Sequence, residues 1–384
     1  MTKSSDLREK FRAKFGGEPR IYRAPGRVNL IGEYTDFNDG FVMPAAIGRY
    51  CWVAAEPRAD RKLAIYSENV SATYEWDFAA GDPLRTGSWS DYPIGVAATL
   101  AKNGVALRGA NLLIHGEVPI GAGLSSSAAI EVATADALLD TSGFQVYGVQ
   151  LARVCQQAEN EFVGARCGIM DQFASVYGRV GHAIVLDCRS LGYDLVPIPS
   201  SIHLVICNTM VKHENSSGEY NLRRAQCEEA VARLAAFYPG ISALRDVTLE
   251  QLELRRESLP DVIYRRAAHV VAENARVQAA VVALRAGDLA EFGKLMAASH
   301  KSLRDFFEVS SKELDIMVEL AIRQPGVLGA RMTGGGFGGS TINLVEVDQA
   351  ERFRENMARA YERATGLRPD IQICDPAQGA GPVD

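Results

Sequence analysis

The sequence predicts an α+β protein of two domains. Its 384 residues exceed the roughly 100–200 residues of a typical single domain. Strand-like runs rich in Val, Ile, Tyr and Trp occur at 21–25, 41–56 and 202–211. Ala-rich helical segments are grouped rather than alternating strictly with these strands, which indicates α+β architecture. We expect one α+β domain over 1–195 and a second over 196–384.

The helical patterns begin in the middle of the chain. The run that starts at Ser125 opens on three serines, a residue type that caps helix starts, and continues as an Ala-rich segment. Residues 149–162 place apolar side chains at helical spacing. Further helices are expected at 219–238, 262–300 and 349–365, and strands on both sides of the glycine loop 334–339 and at 368–374.

Composition excludes several classes of protein. The net charge of −6 and the isoelectric point near 5.7 argue against a nucleic-acid partner, which favours a basic face. We expect neither a signal peptide nor a membrane anchor, because no apolar run reaches the roughly 18 residues that a membrane span needs. Seven scattered cysteines without a CxxC pair indicate reduced thiols in a cytoplasmic protein.

A glycine- and serine-rich loop is the first candidate site. Residues 119–127 read Pro-Ile-Gly-Ala-Gly-Leu-Ser-Ser-Ser and lead directly into a helix. Glycines allow close backbone approach to a ligand, and a helix start presents unpaired N–H groups, so the segment can bind phosphate. It is not a Walker A loop, since it lacks the lysine. A simple serine-capped turn is an equal alternative from these residues alone.

Two acids downstream are candidates for cation binding and proton transfer. Glu159 lies at the edge of the apolar stripe of the 149–162 helix, where a carboxylate could bind a cation, although a solvated helix-face glutamate is the favoured alternative. Asp171 follows the apolar Ile169 and Met170 and could act as a general base. The alternative is an N-cap for the segment 172–177.

Several motifs resemble those of the galactokinases, within the GHMP small-molecule kinases. RAPGRVNLIGEYTDFNDGFVMPAAI (23–47) is similar to their signature, PIGAGLSSSAA (119–129) to their phosphate loop, and AENEFVGARCGIMDQF (158–173) to the stretch with metal-binding and catalytic acids. SSGEYNLRRAQCEE (216–229) and RMTGGGFGGSTINLV (331–345) also match, as does the ending CDPAQGAG. The resemblance implies two α+β domains with the active site between them, and transfer of the γ-phosphate of ATP to the anomeric hydroxyl of galactose.

The resemblance also implies roles for individual residues. Asp171 matches the catalytic aspartate, and Arg27 matches the arginine beside the transferred phosphate. Ser127 and Glu159 match ligands of Mg²⁺. ATP is expected at Ser67 and along the loop formed by Gly121, Ala122, Gly123, Leu124, Ser125, Ser126 and Ser127, with Trp89 and Tyr92 near the adenine. The sugar-contacting positions are Glu33, Tyr34, Thr35, Asp36, Gly168 and Tyr220.

Without the resemblance, these positions could have purely structural roles. Asp36 lies in a turn-like TDFNDG segment, Tyr220 could be a core tyrosine, and Arg27 could form a structural ion pair with Asp36 or Glu33. The glycine loop 334–339 could be a flexible hairpin connection, but its five glycines favour close packing against the phosphate loop.

The sequence departs from the family pattern at two positions. Tyr34 stands where the family usually has histidine, near the C6 hydroxyl of the sugar, and Phe37 where it has tyrosine. Glu33 argues against a galacturonate kinase, because its carboxylate would repel a C6 carboxylate. Other GHMP sugar kinases, for N-acetylgalactosamine or L-arabinose, and a non-catalytic galactose sensor are alternatives. The complete serine loop favours an enzyme, and we expect a monomer.

Overall fold

The computed structural model describes residues 2–211 and 216–383, apart from the side chains of residues 216 and 217. Within this part of the chain, thirteen strands form three sheets. The strands are β1 (Arg20–Asn29), β2 (Phe41–Val42), β3 (Pro44–Pro57), β4 (Lys62–Ser67), β5 (Ala72–Asp77), β6 (Ala110–Gly116), β7 (His182–Asp187), β8 (Tyr193–Pro197), β9 (Ile202–Asn208), β10 (Val327–Thr333), β11 (Ser340–Glu346), β12 (Asp370–Cys374) and β13 (Gly381–Val383).

The described residues form eleven α-helices, five of them in the first half of the chain. They are α1 (Lys3–Phe15), α2 (Asp91–Lys102), α3 (Ser126–Ser142), α4 (Val149–Gln157), α5 (Met170–Tyr177), α6 (Ser216–Ala235), α7 (Leu249–Leu254), α8 (Asp261–Arg285), α9 (Leu289–Ser302), α10 (Lys312–Ala321) and α11 (Ala350–Thr365). Among the described residues, no helix combines the length and the apolar character needed to cross a bilayer.

The sheet topology confirms the α+β class. The six-stranded sheet has the order β13-β1-β3-β6-β4-β5, with β4 and β6 parallel and its other neighbours antiparallel. The four-stranded sheet β10-β11-β9-β12 and the three-stranded sheet β2-β7-β8 are antiparallel throughout. The largest apolar cluster joins the six-stranded sheet, α2 and α3 to the inner face of the four-stranded sheet.

Two structural features bear on the expected division into 1–195 and 196–384. The expected boundary falls inside β8, which ends at Pro197. The chain also returns at its end, because β13 pairs with β1 through the Ile21–Val383 register. The last strand therefore belongs to the sheet of the first half, and the two-domain division by sequence halves stays a proposal.

The expected elements are present, but two helix predictions need correction. The segment 262–300 is not one helix, since Gly287 adopts a left-handed φ of 71° and Asp288 accepts the backbone N–H of Glu291 to start α9. The segment 149–162 also changes character. It is α-helical only to Gln157 and continues as a π-helical turn over Ala158–Val163. This wider turn shifts the side chains after residue 157 relative to the α-helical register.

Candidate active site

The loop 121–127 is shaped by residues with a left-handed backbone. Gly121, Gly123 and Ser125 have φ values of 75°, 76° and 56°, and α3 begins at the next residue, Ser126. The strain at Ser125 is notable because side chains other than those of Asn and Asp rarely adopt this region. The loop lines a cavity of about 380 Å³, except for Ala122, which is buried beneath it. The helix start therefore opens on the cavity, as an anion site requires.

Arg27 and Asp171 form a buried ion pair at this cavity. The Arg27 Nε and Nη2 atoms lie 2.8 and 2.7 Å from Oδ1 of Asp171, and the Arg27 side chain is only 5% exposed. Arg27 Nη1 also donates to the Gly123 carbonyl at 2.7 Å, while the Ser125 hydroxyl donates to Oδ2 of Asp171 at 2.5 Å. The loop 121–127, the Arg27 guanidinium and the Asp171 carboxylate are thus joined in one hydrogen-bonded group. Asp171 is the second residue of α5 and not its N-cap.

Glu159 is buried in the same region, so the alternative of a solvated helix-face glutamate is wrong. Its Oε2 accepts hydrogen bonds from Gln172 at 2.6 Å and from the Cys167 thiol at 3.4 Å, and Ser127 lines the same cavity. Burial and, after it, the charge of Asp171 raise the pKa of Glu159 to about 7. Glu159 therefore adds a buried carboxyl group beside the Arg27–Asp171 pair.

The sugar signature presents two acids to the cavity. Asp36 lies in a short 3₁₀ turn and is 8% exposed, and burial together with the charge of Asp171 raises its pKa to about 6. Glu33 is 2% exposed; its Oε2 lies 2.5 Å from Nη2 of Arg331, and its Oε1 accepts the Gly334 N–H at 3.0 Å. Arg27 pairs with neither acid. Asp36 is a buried acid at the cavity rather than a solvated turn residue.

An aromatic wall closes the same side of the cavity. The Tyr34 ring lies 5.2 Å from Tyr220 and 4.5 Å from Phe307, and Phe37 contacts Tyr220 edge-on at 5.7 Å. The Tyr34 hydroxyl donates to the Gly335 carbonyl. Tyr34 and Tyr220 line the cavity, so Tyr220 is not merely a core side chain. The two residues that depart from the family pattern are therefore packed together.

Two expected sugar-contacting residues do not line this cavity. The Thr35 side chain is fully buried, and its hydroxyl faces the carbonyls of Gly32 and Phe41 at 2.8 and 2.7 Å. These hydrogen bonds stabilise the conformation of the signature loop. Gly168 lies behind Asp36, where a Cβ atom would come within 2.1 Å of the Asp36 Oδ2. Gly168 thus leaves the space that the Asp36 carboxylate occupies.

A second cavity of about 450 Å³ adjoins the first beyond Ser126 and Ser127. Ser67, Trp89 and Tyr92 line it, and the last of these also lines the first cavity. The three residues expected near the nucleotide therefore surround one space that continues from the phosphate loop.

The glycine loop 334–339 packs against the phosphate loop, as expected from its composition. A Cβ on Gly334 would lie 2.6 Å from the Gly123 carbonyl oxygen, and one on Gly339 would lie 3.1 Å from that of Ala122. The hydroxyl of Ser340 donates to the Ala122 carbonyl at 2.8 Å. These contacts require glycine, because any side chain would separate the two loops.

Sequence reasoning missed three participants in this site. It gave Ser125 a place in the phosphate cradle but not its bond to Asp171, and it gave no role to Arg331 or to Gln172. Arg331 carried a readable signal, because a charged residue inside an apolar strand needs a buried partner. Gln172 carried none, since its contacts join elements that are distant in sequence.

Family models match three stretches of the chain. Residues 9–57 match the galactokinase galactose-binding signature, 91–179 the N-terminal domain of GHMP kinases, and 280–363 their C-terminal domain. The first covers Arg27 and the acids of the signature, and the second covers the phosphate loop and Asp171. The matched stretches therefore include the acids, Arg27 and the two loops at the cavity, whereas Tyr220 lies outside them.

Relatives and solved structures agree with these models. The chain is 45% identical to a galactokinase of Roseiflexus sp. (strain RS-1), over 100% of this chain and 98% of the relative. The crystal structure of Lactococcus lactis galactokinase complexed with galactose superposes with a TM-score of 0.95 at 38% identity, covering 99% of this chain and 100% of that one. Methanococcus jannaschii mevalonate kinase shares the fold, with a TM-score of 0.66 at 17% identity over 94% and 99% of the two chains. The chain belongs to the galactokinase family of GHMP kinases.

Proposed function

We propose that this protein transfers the γ-phosphate of ATP to the C1 hydroxyl of α-D-galactose, giving galactose 1-phosphate and ADP. The observation that carries the proposal is the joined group of Arg27, Asp171 and Ser125, which links a carboxylate directly to a phosphate-binding loop. The acids and tyrosines of the signature line the same cavity. Full-length similarity to galactokinases supports the choice of substrate.

In this proposal Asp171 positions the sugar hydroxyl and takes its proton. One carboxylate oxygen is held by Arg27 and the other by Ser125, so the group has a fixed orientation toward the cavity. As the bond from O1 to the γ-phosphorus forms and the bond to the bridging oxygen of ADP breaks, the proton of the O1 hydroxyl passes to Asp171. Arg27, which stays protonated, stabilises the negative charge of the transferring group.

The residues present also fit a magnesium ion at the phosphates. The Glu159 carboxylate is buried without a cationic partner among its described contacts, and the Ser127 hydroxyl adjoins it. Two oxygen donors together with phosphate oxygens are the ligands that Mg²⁺ prefers. We propose that Ser127 and Glu159 hold the ion, which supplies neutralisation of phosphate charge when bound. Ser67, Trp89 and Tyr92 would hold the nucleoside in the adjoining cavity.

We further propose that Asp36 and Tyr220 read the ring hydroxyls of galactose, including the axial O4, and that Glu33 and Tyr34 lie near C6. Buried polar groups that are left unpaired by the wrong epimer give strong discrimination. The expected repulsion between Glu33 and a C6 carboxylate must be revised, because Arg331 pairs with Glu33. Repulsion of a C6 carboxylate by Glu33 is therefore weaker than for a free acid, whereas the Tyr34 ring still fills that side.

The test is ADP release with a panel of galactose, 6-deoxygalactose, galacturonate, N-acetylgalactosamine and L-arabinose, with the product of galactose identified by ³¹P NMR. We expect galactose to have the highest kcat/KM and its product to be the 1-phosphate. Preference for galacturonate, N-acetylgalactosamine or arabinose would assign the site to another sugar. Binding of galactose without ADP release would indicate a sensor.

We also propose a cytoplasmic monomer. The seven cysteines are free thiols, four of them fully buried or nearly so (Cys51, Cys155, Cys207 and Cys227), as is usual in a reducing compartment. Light scattering of the purified chain tests whether it is a monomer, for which a mass of 41.6 kDa is expected.

A further inference from the structure

A buried amide connects three elements of the active site. The side-chain Nε2 of Gln172 donates to Oε2 of Glu159 at 2.6 Å and to Oε2 of Glu131 at 3.0 Å. Gln172 and Glu131 are fully buried, and Glu159 is 7% exposed. Both hydrogens of one amide are thus shared between two carboxyl groups in the interior of the protein.

The three residues come from the elements that carry the proposed chemistry. Glu131 lies four residues after Ser127 on α3, so the two side chains share one face of that helix. Gln172 follows the proposed base Asp171 on α5, and Glu159 stands in the π-helical turn after α4. The amide therefore ties the position of Glu159 to the helix that begins at the phosphate loop.

Burial of the Glu131 carboxyl group between helices is energetically unfavourable, which suggests that the group has a function there. No cationic side chain contacts it among the described residues, and its Oε1 has no hydrogen-bond partner there. Even a buried ion pair can often be replaced by apolar residues of similar volume without loss of stability, so stability does not explain an acid at this position. The hydrogen bond to Gln172 is the described contact that an apolar residue would not make.

The contacts of Glu159 show what the amide controls. The Gln172 amide and the Cys167 thiol both donate to Oε2 of Glu159. These two contacts restrict the orientation of the carboxylate group. Oε1 lies outside this pair of contacts, and Ser127 lines the same cavity as the carboxylate. Without the amide, the described hydrogen bonds of the Glu159 carboxylate would be reduced to the weak thiol contact.

We propose that Glu131 and Gln172 are positioning residues: Glu131 anchors the Gln172 amide, and the amide holds the Glu159 carboxylate beside Ser127 for the nucleotide-bound divalent cation. The inference rests on the proposed metal-binding role of Glu159. Outer hydrogen-bond partners of a metal ligand commonly change metal affinity or activity by about 10–100-fold.

The experiment measures Mn²⁺ binding to the protein in the presence of ADP, by electron paramagnetic resonance of the free ion. Gln172→Met removes the donor and Glu131→Leu removes its anchor, whereas Glu131→Gln keeps a carbonyl acceptor at the same place. We expect the first two variants to weaken Mn²⁺ binding by about 10-fold and the third to retain most of the native affinity. Galactose affinity by calorimetry should stay near the native value in all three. The melting temperature of Gln172→Met should fall, because two buried carboxyl groups lose a hydrogen-bond donor.

Glu159→Ala separates failure of this inference from failure of the proposed metal site. If Glu159→Ala weakens Mn²⁺ binding while Gln172→Met and Glu131→Leu bind it like the native chain, the positioning role is overturned. Equal loss of galactose and Mn²⁺ binding in Gln172→Met and Glu131→Leu would also overturn it, since that pattern means general disruption. If Glu159→Ala binds Mn²⁺ normally, the metal role of Glu159 falls, and the inference with it.

Discussion

At the scale of single residues, burial decides which acids of the signature can carry function. Asp39 is partly exposed and pairs with Arg189, whereas Asp36, three residues earlier, is buried beside the charge of Asp171. The two have the same side chain in one short turn. Sequence reasoning could place both in the turn, but burial of Asp36 depends on Gly168, which comes from a distant part of the chain.

The raised pKa of Asp36 predicts a gain of stability when its charge is removed. Because the pKa rises from 3.8 to about 6 on folding, Asp36 favours the folded state below pH 4 and does so less and less as the pH rises through 6. We expect Asp36→Asn to match the native chain near pH 4 and to be more stable by up to about 3 kcal/mol above pH 6. Urea unfolding at several pH values measures this.

The control for this prediction is Asp39→Asn, which removes a partly exposed charge from the same turn and should show no such growing difference. Galactose affinity of Asp36→Asn should fall in the same experiments, because an amide replaces one acceptor oxygen by a donor. An Asp36→Asn chain that is less stable than the native one above pH 6 would show that the charged carboxylate is compensated in the folded protein.

At the scale of elements, the π-helical turn and the glycine loop decide the geometry. The apolar spacing of 149–162 predicted a helix correctly, but no local pattern distinguishes a π-helical turn at Ala158–Val163 from continued α-helix. The turn brings Glu159 inside, where the predicted register left it at the edge. The glycine loop was easier to predict, because five glycines in six residues indicate close backbone contact.

Gly334→Ala tests the contact between the two loops. Gly334 has a φ of 78°, and the added Cβ would meet the Gly123 carbonyl at 2.6 Å, so the phosphate loop must move. We expect the KM for ATP to rise by roughly 10–100-fold, since small displacements of a binding loop are costly for catalysis. Steady-state kinetics with ATP varied at saturating galactose measures the change.

Gly366→Ala is the matched control. Gly366 ends α11 with a similar φ of 75°, and nothing lies within 4 Å of its added Cβ. Both variants carry the strain of a left-handed alanine, about 1–2 kcal/mol, but only one affects the loop. Similar KM values for ATP in the two variants would mean that loop contact is unimportant.

At the scale of the whole molecule, buried polar contacts hold the signature segment against the second half of the chain. The Glu33–Arg331 pair joins the segment after β1 to β10, and the Thr333 hydroxyl accepts the backbone N–H of Asn29 at 2.9 Å. Burial raises the pKa of Glu33 despite the neighbouring guanidinium. Because Glu33 also lines the cavity, this pair contributes both to the proposed sugar site and to the stability of the fold.

Removing one member of this pair should be strongly destabilising. Arg331→Met leaves the Glu33 carboxyl buried without its partner, and we expect a loss of about 3–5 kcal/mol in the free energy of unfolding. Adding Glu33→Gln to that variant should recover part of the loss, because the unpaired acid is then gone. Urea unfolding of the galactose-free proteins measures both. No recovery in the double variant would assign the loss to packing of Arg331 instead.

The sequence predicted the class of fold and the order of its motifs because these depend on local spacing and composition. It also predicted roles for Asp171, Arg27 and the loop 121–127, but only the resemblance between whole motifs favoured those roles over capping and turn positions. It could not predict that Thr35 faces inward, that β13 joins the first sheet, or that Gln172 bridges two acids. Those features arise from pairings between residues that are far apart in the chain.

The most direct test compares galactose-dependent ADP release by the native chain with that of Asp171→Asn, alongside calorimetric binding of galactose to both. If Asp171 takes the proton of the C1 hydroxyl, the native chain turns over and Asp171→Asn binds galactose but loses roughly 10²–10⁴-fold in kcat. Near-native turnover by Asp171→Asn would contradict the account, because the phosphate would then be transferred without the carboxylate that Arg27 and Ser125 hold in place.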